Sequence, residues 1–172
     1  ADIVEKYLET LAHLHGQGWS VTSFDWRGQG GSGRLAEDPH VGHADDFGVF
    51  VTDLAAFWAE WRREGEGPHI LLAHSMGGHI ALRSLIERTI DPDAVILIAP
   101  MVGIASPIGA RWGERLARLM VRIGDPARPA WKARPDKKSA GHRQKLLTHD
   151  VGRFEDEAYW YAQQPGLLLG PP

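Results

Sequence analysis

The fold is decided by the stretch His69-Ile70-Leu71-Leu72-Ala73-His74-Ser75-Met76-Gly77-Gly78. The run 69–73 is mostly apolar and too short for a helix, which favours a strand. After the glycine pair, apolar residues return at helical spacing, namely Ile80, Ala81, Leu85 and Ile86. The stretch therefore predicts a strand, a sharp turn and a helix, in that order.

The serine in this turn has the setting of a nucleophile. A hydroxyl attacks a carbonyl well when it is exposed, when a base takes its proton, and when backbone N–H groups face the developing oxyanion. A tight strand-to-helix turn meets the first and last needs if small residues lie two positions either side, as Ala73 and Gly77 do. We predict Ser75 as the nucleophile and the Met76 N–H as half of an oxyanion hole. The alternative is a serine that only caps a helix.

The alternation of helix and strand continues on both sides of this turn. Residue spacing and composition predict helices over 4–14 and 47–61 and strands over 19–25 and 94–99. Asp45 and Asp46 are expected as cap and first-turn residues of the second helix. The last strand is a continuous apolar run, which is typical of a strand covered on both faces. This order predicts an α/β fold, a parallel sheet flanked by helices.

The pattern changes near residue 105. Up to Ile104 the chain has 7 Lys and Arg against 15 Asp and Glu, and from Ala105 onward it has 12 against 7. No further strand pattern follows, and a short helix is predicted over 154–164. An amphipathic stripe precedes it, made of Ile108, Trp112, Leu116, Leu119, Met120 and Ile123. We predict a sheet-and-helix core over 1–104 and a mostly helical cap over 105–172.

Composition excludes several kinds of site and partner. The 172 residues are 43% hydrophobic and 24% charged, as in an ordinary globular protein. Cysteine is absent, which excludes a disulfide framework, a thiolate zinc site and a cysteine nucleophile. The basic residues lack an aromatic stacking pattern, so no nucleic-acid partner is expected. Neither a membrane-spanning run nor a signal peptide is evident, so a cytoplasmic location is expected, although the chain begins within a helix and without Met, as though cut upstream.

Three other motifs have residue types found in cofactor or metal sites. Gly28-x-Gly30-x-x-Gly33 matches a dinucleotide fingerprint in spacing, but no apolar helix opens after it. A close-turning structural loop is therefore favoured, and no cofactor is expected. His13-x-His15 and His40-x-x-His43 lack the i, i+4 spacing and the intervening Glu of a helical zinc motif, so no metal is expected.

Several motifs together resemble one family, the lysophospholipase and monoacylglycerol-lipase-like α/β-hydrolases, grouped with the serine aminopeptidase-like hydrolases. The loop Asp25-Trp26-Arg27-Gly28-Gln29-Gly30-Gly31-Ser32 is similar to the family's D-x-R-G-x-G-x-S loop. The elbow His74-Ser75-Met76-Gly77-Gly78 and the strand end Ala99-Pro100-Met101 are similar to its H-S-M-G-G and A-P-M motifs. Residues 146–150, followed by Arg153-Phe154, resemble its cap segment. The resemblance covers nearly the whole chain.

The resemblance implies a partial α/β-hydrolase fold with a helical cap. It also implies cleavage of a small-molecule carboxylic ester or lipid, of monoacylglycerol or lysophospholipid type, through an acyl-enzyme on Ser75. Transient contact of the cap with a membrane surface is a further expectation. Peptidase or thioesterase activity, or a catalytically inactive binding module, are the alternatives on the same fold.

The chain departs from the family in lacking most of the catalytic machinery. In the family the second oxyanion donor precedes the first helix, and the triad acid and histidine follow two later strands. Neither region is matched, so the 172-residue piece alone is expected to be inactive. The order of a hydrolase triad leaves one alternative, an acid at Asp125 or Asp136 with a base at His142 or His149. Their basic, strandless surroundings disfavour it.

Overall fold

A computed structural model describes residues 3–35, 43–103, 109–124, 150, 152, 155, 159–160, 162–164 and 166. The helix predicted over 154–164 lies partly outside these residues. Among the described residues, no helix has the length and apolar character that crossing a membrane requires. The chain divides into two compact units, one formed by residues 45–126 and the other by 1–44 with 127–172. The core and cap predicted over 1–104 and 105–172 rest on charge and residue pattern rather than on compactness. That division stays a prediction.

The unit over 45–126 contains a two-stranded parallel sheet. Strand β1 spans Ile70–His74 and β2 spans Ala94–Ile98, in register from Ile70 opposite Ala94 to His74 opposite Ile98. The helices of this unit are α2 (Gly48–Trp61), α3 (Ser75–Ile86) and α4 (Ala110–Ile123). The predicted strand, turn and helix around Ser75 are confirmed, as is the α/β class.

The core of this unit lies between α2, α3 and one face of the sheet. Helix α2 packs against α3, and α3 packs against both strands. The buried apolar side chains are Phe50, Val51, Leu54 and Trp58 of α2, Ile80 and Ala81 of α3, Ala73 of β1, and Ile90. At the start of α2, the Asp46 carboxylate accepts the Gly48 N–H at 2.8 Å. Phe47 occupies the cap position and no acid lies in the first turn, so the hydrogen bond of Asp46 to Gly48 is the part of the prediction that the described helix shows.

The other face of the sheet differs from the prediction. The sequence predicts that β2 is covered on both faces, but Ile96 and Ile98 of β2 are 48 and 47% exposed, and Leu72 of β1 is 46% exposed. A continuous apolar run predicts that its residues form a strand. Whether both faces of that strand are buried depends on helices or loops elsewhere in the chain that pack on them. Ile86, predicted on the apolar stripe of α3, is also 81% exposed, at the last residue of the helix.

The unit that contains residues 1–44 begins with a 3-10 turn, Val4–Tyr7, and helix α1, Leu8–Gly16. The strand predicted over 19–25 is wrong, because those residues form no ladder in the described chain. Extended propensity makes a strand only where a neighbour exchanges backbone hydrogen bonds. Asp25 instead uses its carboxylate to accept the N–H groups of Val4 and Gly31, at 3.0 and 2.9 Å.

Polar contacts fix where β2 starts relative to β1 and α2. The Asp93 carboxylate accepts the His69 N–H at 2.7 Å, and the Asp93 N–H donates to the His69 carbonyl at 2.9 Å. Asp91 accepts the Trp58 indole N–H at 2.9 Å and forms an ion pair with Arg62. These contacts hold the α3–β2 loop at the amino ends of the strands, opposite the edge where Ser75 lies.

The Asp91 contacts predict an acid dependence of stability. Hydrogen bonding from Arg62, then from Trp58, lowers the pKa of the Asp91 carboxyl below its ordinary value. Because the folded pKa is the lower one, the contribution is complete above the unfolded pKa and is lost as the pH falls through the folded pKa. We expect Asp91→Asn to flatten the fall in unfolding free energy below about pH 4, measured by urea unfolding.

The matched control for this prediction is Glu66→Gln, at an exposed acid in the loop after α2. It removes the same charge without touching the Trp58 and Arg62 contacts, so the acid slope should stay as in the wild type. Equal slopes for wild type and Asp91→Asn would show that the carboxylate contacts contribute nothing to folding.

Candidate active site

The backbone reverses direction at a single residue between β1 and α3. His74 is extended, with φ −117° and ψ 143°, and Ser75 then adopts φ 49°. The left-handed region costs a residue with a Cβ atom about 1–2 kcal/mol, so it persists only where the surroundings impose it. Ser75 is half-buried at the first position of α3, at the carboxyl end of β1. The predicted sharp turn is therefore present, and it is strained.

A second strained turn lies beside the first. Strand β2 ends at Ile98, and Ala99 follows with φ 42°. Two residues later, the Met101 N–H donates to the Ser75 carbonyl at 2.9 Å. The carboxyl ends of the two parallel strands are thus joined beyond the sheet ladder. In open α/β sheets this edge is where ligands bind.

The close contact that seats α3 involves the second glycine of the pair. Gly78 is buried, and a Cβ atom built on it would lie 2.8 Å from the Pro100 Cβ and 2.9 Å from the Pro100 Cα. A real Cβ does not approach a backbone so closely. The sequence predicts a need for small residues at Ala73 and Gly77, and this role of Gly78 is not among the predictions. The pairing of Gly-Gly with a strand that ends in Pro is the signal that could have suggested it.

The oxyanion donor expected at Met76 lies in the first turn of α3. The first N–H groups of a helix have no acceptor within the helix, and the helix dipole makes this end favourable for negative charge. Residues 75–77 are all partly exposed, so solvent or a ligand reaches this end of the helix. The arrangement can hold a hydroxyl and helix N–H groups on one side of a bound carbonyl group.

The triad acid and base are not seen beside Ser75. Within the described ranges, no histidine or carboxylate side chain is hydrogen-bonded to the Ser75 hydroxyl. The alternative acid and base residues, Asp125, Asp136, His142 and His149, lie outside the described residues.

The glycine-rich loop after Asp25 folds back onto the Asp25 carboxylate. Gly28, Gly30 and Gly33 have φ of 77°, 48° and 77°. The Ser32 hydroxyl donates to the Asp25 carbonyl at 2.6 Å, and a Cβ on Gly30 would collide with the Asp25 carboxylate. The loop therefore turns tightly around Asp25 rather than opening a helix toward a phosphate.

The histidine pairs form no metal cluster in the part of the chain that the structure describes. No group of three or more His, Asp or Glu side chains there could hold a metal ion. His13 and His15 are exposed on α1, and His15 Nδ1 lies 3.4 Å from the Trp19 carbonyl oxygen. His40 lies outside the described residues.

A parallel sheet whose strand passes through a left-handed serine into a helix is the arrangement of an α/β-hydrolase. The chain belongs to the serine aminopeptidase (S33) family, whose model matches residues 1–170. The family resemblance seen in the loop and elbow motifs is thereby confirmed.

Named relatives make the resemblance more specific. Lysophospholipase L2 of Escherichia coli (strain K12) is 35% identical over an alignment of 182 positions, gaps included. The alignment covers 97% of this chain and 49% of that protein. Human monoglyceride lipase is 34% identical over 94 residues, 49% of this chain and 31% of that protein. A lysophosphatidylserine lipase of Mus musculus is 35% identical over 101 residues, 56% of this chain and 23% of that protein. The chain thus spans about half the length of lysophospholipase L2. No solved structure matches the chain with statistical significance.

Proposed function

We propose that the full-length protein containing this chain hydrolyses carboxylic esters of lysophospholipids or monoacylglycerols through an acyl-enzyme on Ser75. The observation that carries the proposal is the left-handed serine at the β1–α3 junction, at φ 49°. Strained backbone of this kind clusters at functional sites, and Ser75 is half-buried rather than fully enclosed. The names of the relatives, lysophospholipase and monoglyceride lipase, support this substrate class.

The reaction follows from the chemistry of the elbow. Ser75 Oγ attacks the ester carbonyl carbon while a general base takes the hydroxyl proton. The carbonyl oxygen becomes an oxyanion and accepts a hydrogen bond from the Met76 N–H. The tetrahedral intermediate collapses, and the glycerol-bearing alkoxide leaves with the proton that the base returns. Water then attacks the acyl-enzyme by the same route and releases the fatty acid and Ser75.

The general base and its carboxylate partner are assigned to the half of the relatives' length that this chain does not span. Two observations support this assignment: the chain covers 49% of lysophospholipase L2, and no histidine or carboxylate side chain among the described residues is hydrogen-bonded to the Ser75 hydroxyl. Ser75 and Met76 supply the attacking atom and part of the oxyanion site, and the other half supplies proton transfer.

Hydrolysis of a defined ester panel by the full-length protein tests the proposal. We expect Ser75→Ala to lower kcat/KM for 1-monoacylglycerol or lysophosphatidylethanolamine by about 10⁴-fold or more, because the attacking atom is lost. The products, fatty acid and glycerol or glycerophosphoethanolamine, are quantified by mass spectrometry. Equal turnover by wild type and Ser75→Ala would exclude Ser75 as the nucleophile.

The matched control is Ser84→Ala on the same helix. Ser84 is fully buried, and its hydroxyl has no hydrogen-bond partner among the described residues. Its removal leaves no acceptor or donor unpaired, so folding and turnover should both be retained. A loss of activity in Ser84→Ala as large as in Ser75→Ala would attribute both losses to damage of α3.

Peptide hydrolysis is the second candidate, because the matched family is described as serine aminopeptidase. An aminoacyl anilide in the same panel separates the two reactions. Turnover of the anilide that exceeds turnover of every lipid ester would select the peptidase. Intact folding with no turnover of any substrate would select a binding module. The cytoplasmic location expected from the sequence stays a prediction.

A further inference from the structure

Sulfur is present in this chain only as methionine. The sequence contains 3 methionines and no cysteine. Because hydroperoxides oxidise thiols and thioethers, the reactive sulfur atoms of the chain are those of Met76, Met101 and Met120. Met76 follows Ser75 directly, and Met101 is hydrogen-bonded to Ser75 through its backbone. Most of the oxidisable sulfur of the chain therefore lies at the candidate active site.

Met76 lies where a small oxidant can reach it. It is in the first turn of α3 and is partly exposed, as are Ser75 before it and Gly77 after it. The two residues that follow, Gly77 and Gly78, have no side chains with which to cover a neighbour. Oxidation of sulfur side chains depends on such access from solvent. A hydroperoxide that reaches the Ser75 hydroxyl therefore reaches residue 76 as well.

Met101 and Met120 provide two comparisons within the same compact unit, over 45–126. Met101 is partly exposed, and its N–H donates to the Ser75 carbonyl at 2.9 Å. Oxidation of its side chain leaves that backbone hydrogen bond in place. Met120 is 45% exposed on α4, which is not part of the strand-to-helix turn. Exposure therefore predicts that Met120 is oxidised fastest, and position predicts that Met76 has the largest effect on the reaction.

We propose that Met76 is a site of reversible oxidation, at which conversion to methionine sulfoxide inhibits ester hydrolysis. A hydroperoxide transfers one oxygen atom to Met76 Sδ: its O–O bond breaks, the sulfur loses two electrons, and the hydroperoxide becomes water or an alcohol. A sulfoxide reductase returns the thioether, while two thiols become a disulfide and the oxygen leaves as water. This inference rests on the nucleophile proposed at Ser75 and adds its regulation.

Inhibition follows from the polarity of the added oxygen. Oxidation turns an apolar side chain into a polar one whose oxygen carries partial negative charge. That oxygen belongs to the residue whose N–H is proposed to face the oxyanion, so it opposes the negative charge that develops on the substrate carbonyl. Loss of a whole oxyanion donor lowers kcat by about 10²- to 10³-fold. Because the Met76 N–H remains, we expect a smaller loss, of about tenfold.

Timed treatment of the full-length protein with hydrogen peroxide tests this proposal. Trypsin places the three methionines on separate peptides, 64–83, 89–111 and 119–122, so mass spectrometry follows the gain of one oxygen at each. Ester turnover should fall with the rate constant for oxidation of peptide 64–83, and reductases for both sulfoxide epimers with dithiothreitol should restore it. Dithiothreitol alone should not. Full turnover with Met76 oxidised, or oxidation of peptide 119–122 but never of 64–83, would overturn the proposal.

Leucine substitutions separate Met76 from every other oxidisable residue of the full-length protein. Met76→Leu keeps the backbone N–H and a similar volume but has no sulfur. After peroxide it should lose no turnover relative to its own untreated sample, whereas Met101→Leu and Met120→Leu should lose it as the wild type does. Equal losses in Met76→Leu and the wild type would assign the inhibition to another residue. If untreated protein had no Ser75-dependent turnover, the function proposed for Ser75 would fail, and this inference with it.

Discussion

Replacing Ser75 with glycine is expected to raise the free energy of unfolding by about 1 kcal/mol while reducing ester hydrolysis by about 10⁴-fold or more. The gain in stability arises because glycine adopts φ 49° without the clash of a Cβ atom. It is reduced by the larger backbone entropy that glycine loses on folding. The loss of activity follows from removal of the attacking oxygen. Urea unfolding and product assays on the full-length protein measure the two effects.

Arg88→Gly is the matched control for this variant. Arg88 has φ 57° at the end of α3, so glycine relieves similar strain at a residue outside the candidate active site. Stability should rise by about as much as in Ser75→Gly, with hydrolysis unchanged. A fall in stability in Ser75→Gly alone would mean that the serine side chain stabilises its own turn and that its conformation is not stored strain.

Replacing Gly78 with alanine is expected to lower the free energy of unfolding by about 2 kcal/mol and kcat by about 10²-fold. The added Cβ would lie 2.9 Å from the Pro100 Cα, so α3 has to move away from the end of β2. Ser75 is the first residue of α3 and moves with it. A displacement of about 1 Å at a nucleophile is enough for a loss of this size. Urea unfolding and single-turnover kinetics measure the two effects.

Gly16→Ala is expected to change the free energy of unfolding in the opposite direction. Gly16 is the last residue of α1, and a Cβ there meets no atom within 4 Å. Alanine should therefore stabilise the chain by up to about 1 kcal/mol through helix propensity. If Gly78→Ala raised stability as Gly16→Ala does, helix propensity would outweigh the Pro100 contact, and Gly78 would have no positioning role.

The elbow and the helices around it could be predicted because their signals are local. A short apolar run, small residues around Ser75 and the return of helical spacing lie within one stretch of the chain. The same holds for α2, whose apolar stripe is interior and whose first turn is preceded by Asp46. Each of these features depends on neighbours three to five residues away.

The features that the sequence did not predict depend on distant partners. Residues 19–25 have strand composition, but no neighbouring strand pairs with them in the described chain. The exposure of Ile96 and Ile98 depends on what covers the sheet, which their own apolar character does not determine. The left-handed turn at Ala99 and the contact between Gly78 and Pro100 arise where two strand ends meet. The spacing of residues along the chain does not predict contacts between residues that are far apart in sequence.

The proposal that Ser75 is the nucleophile is tested most directly by treating the full-length protein with a phosphonate ester and mapping the residue that carries the adduct. Trypsin should release residues 64–83 as one peptide, in which Ser75 is the sole serine. If the β1–α3 turn holds an activated nucleophile, the adduct mass is found on that peptide and is absent from Ser75→Ala. Folded protein that reacts at another serine, or at none, would contradict the account.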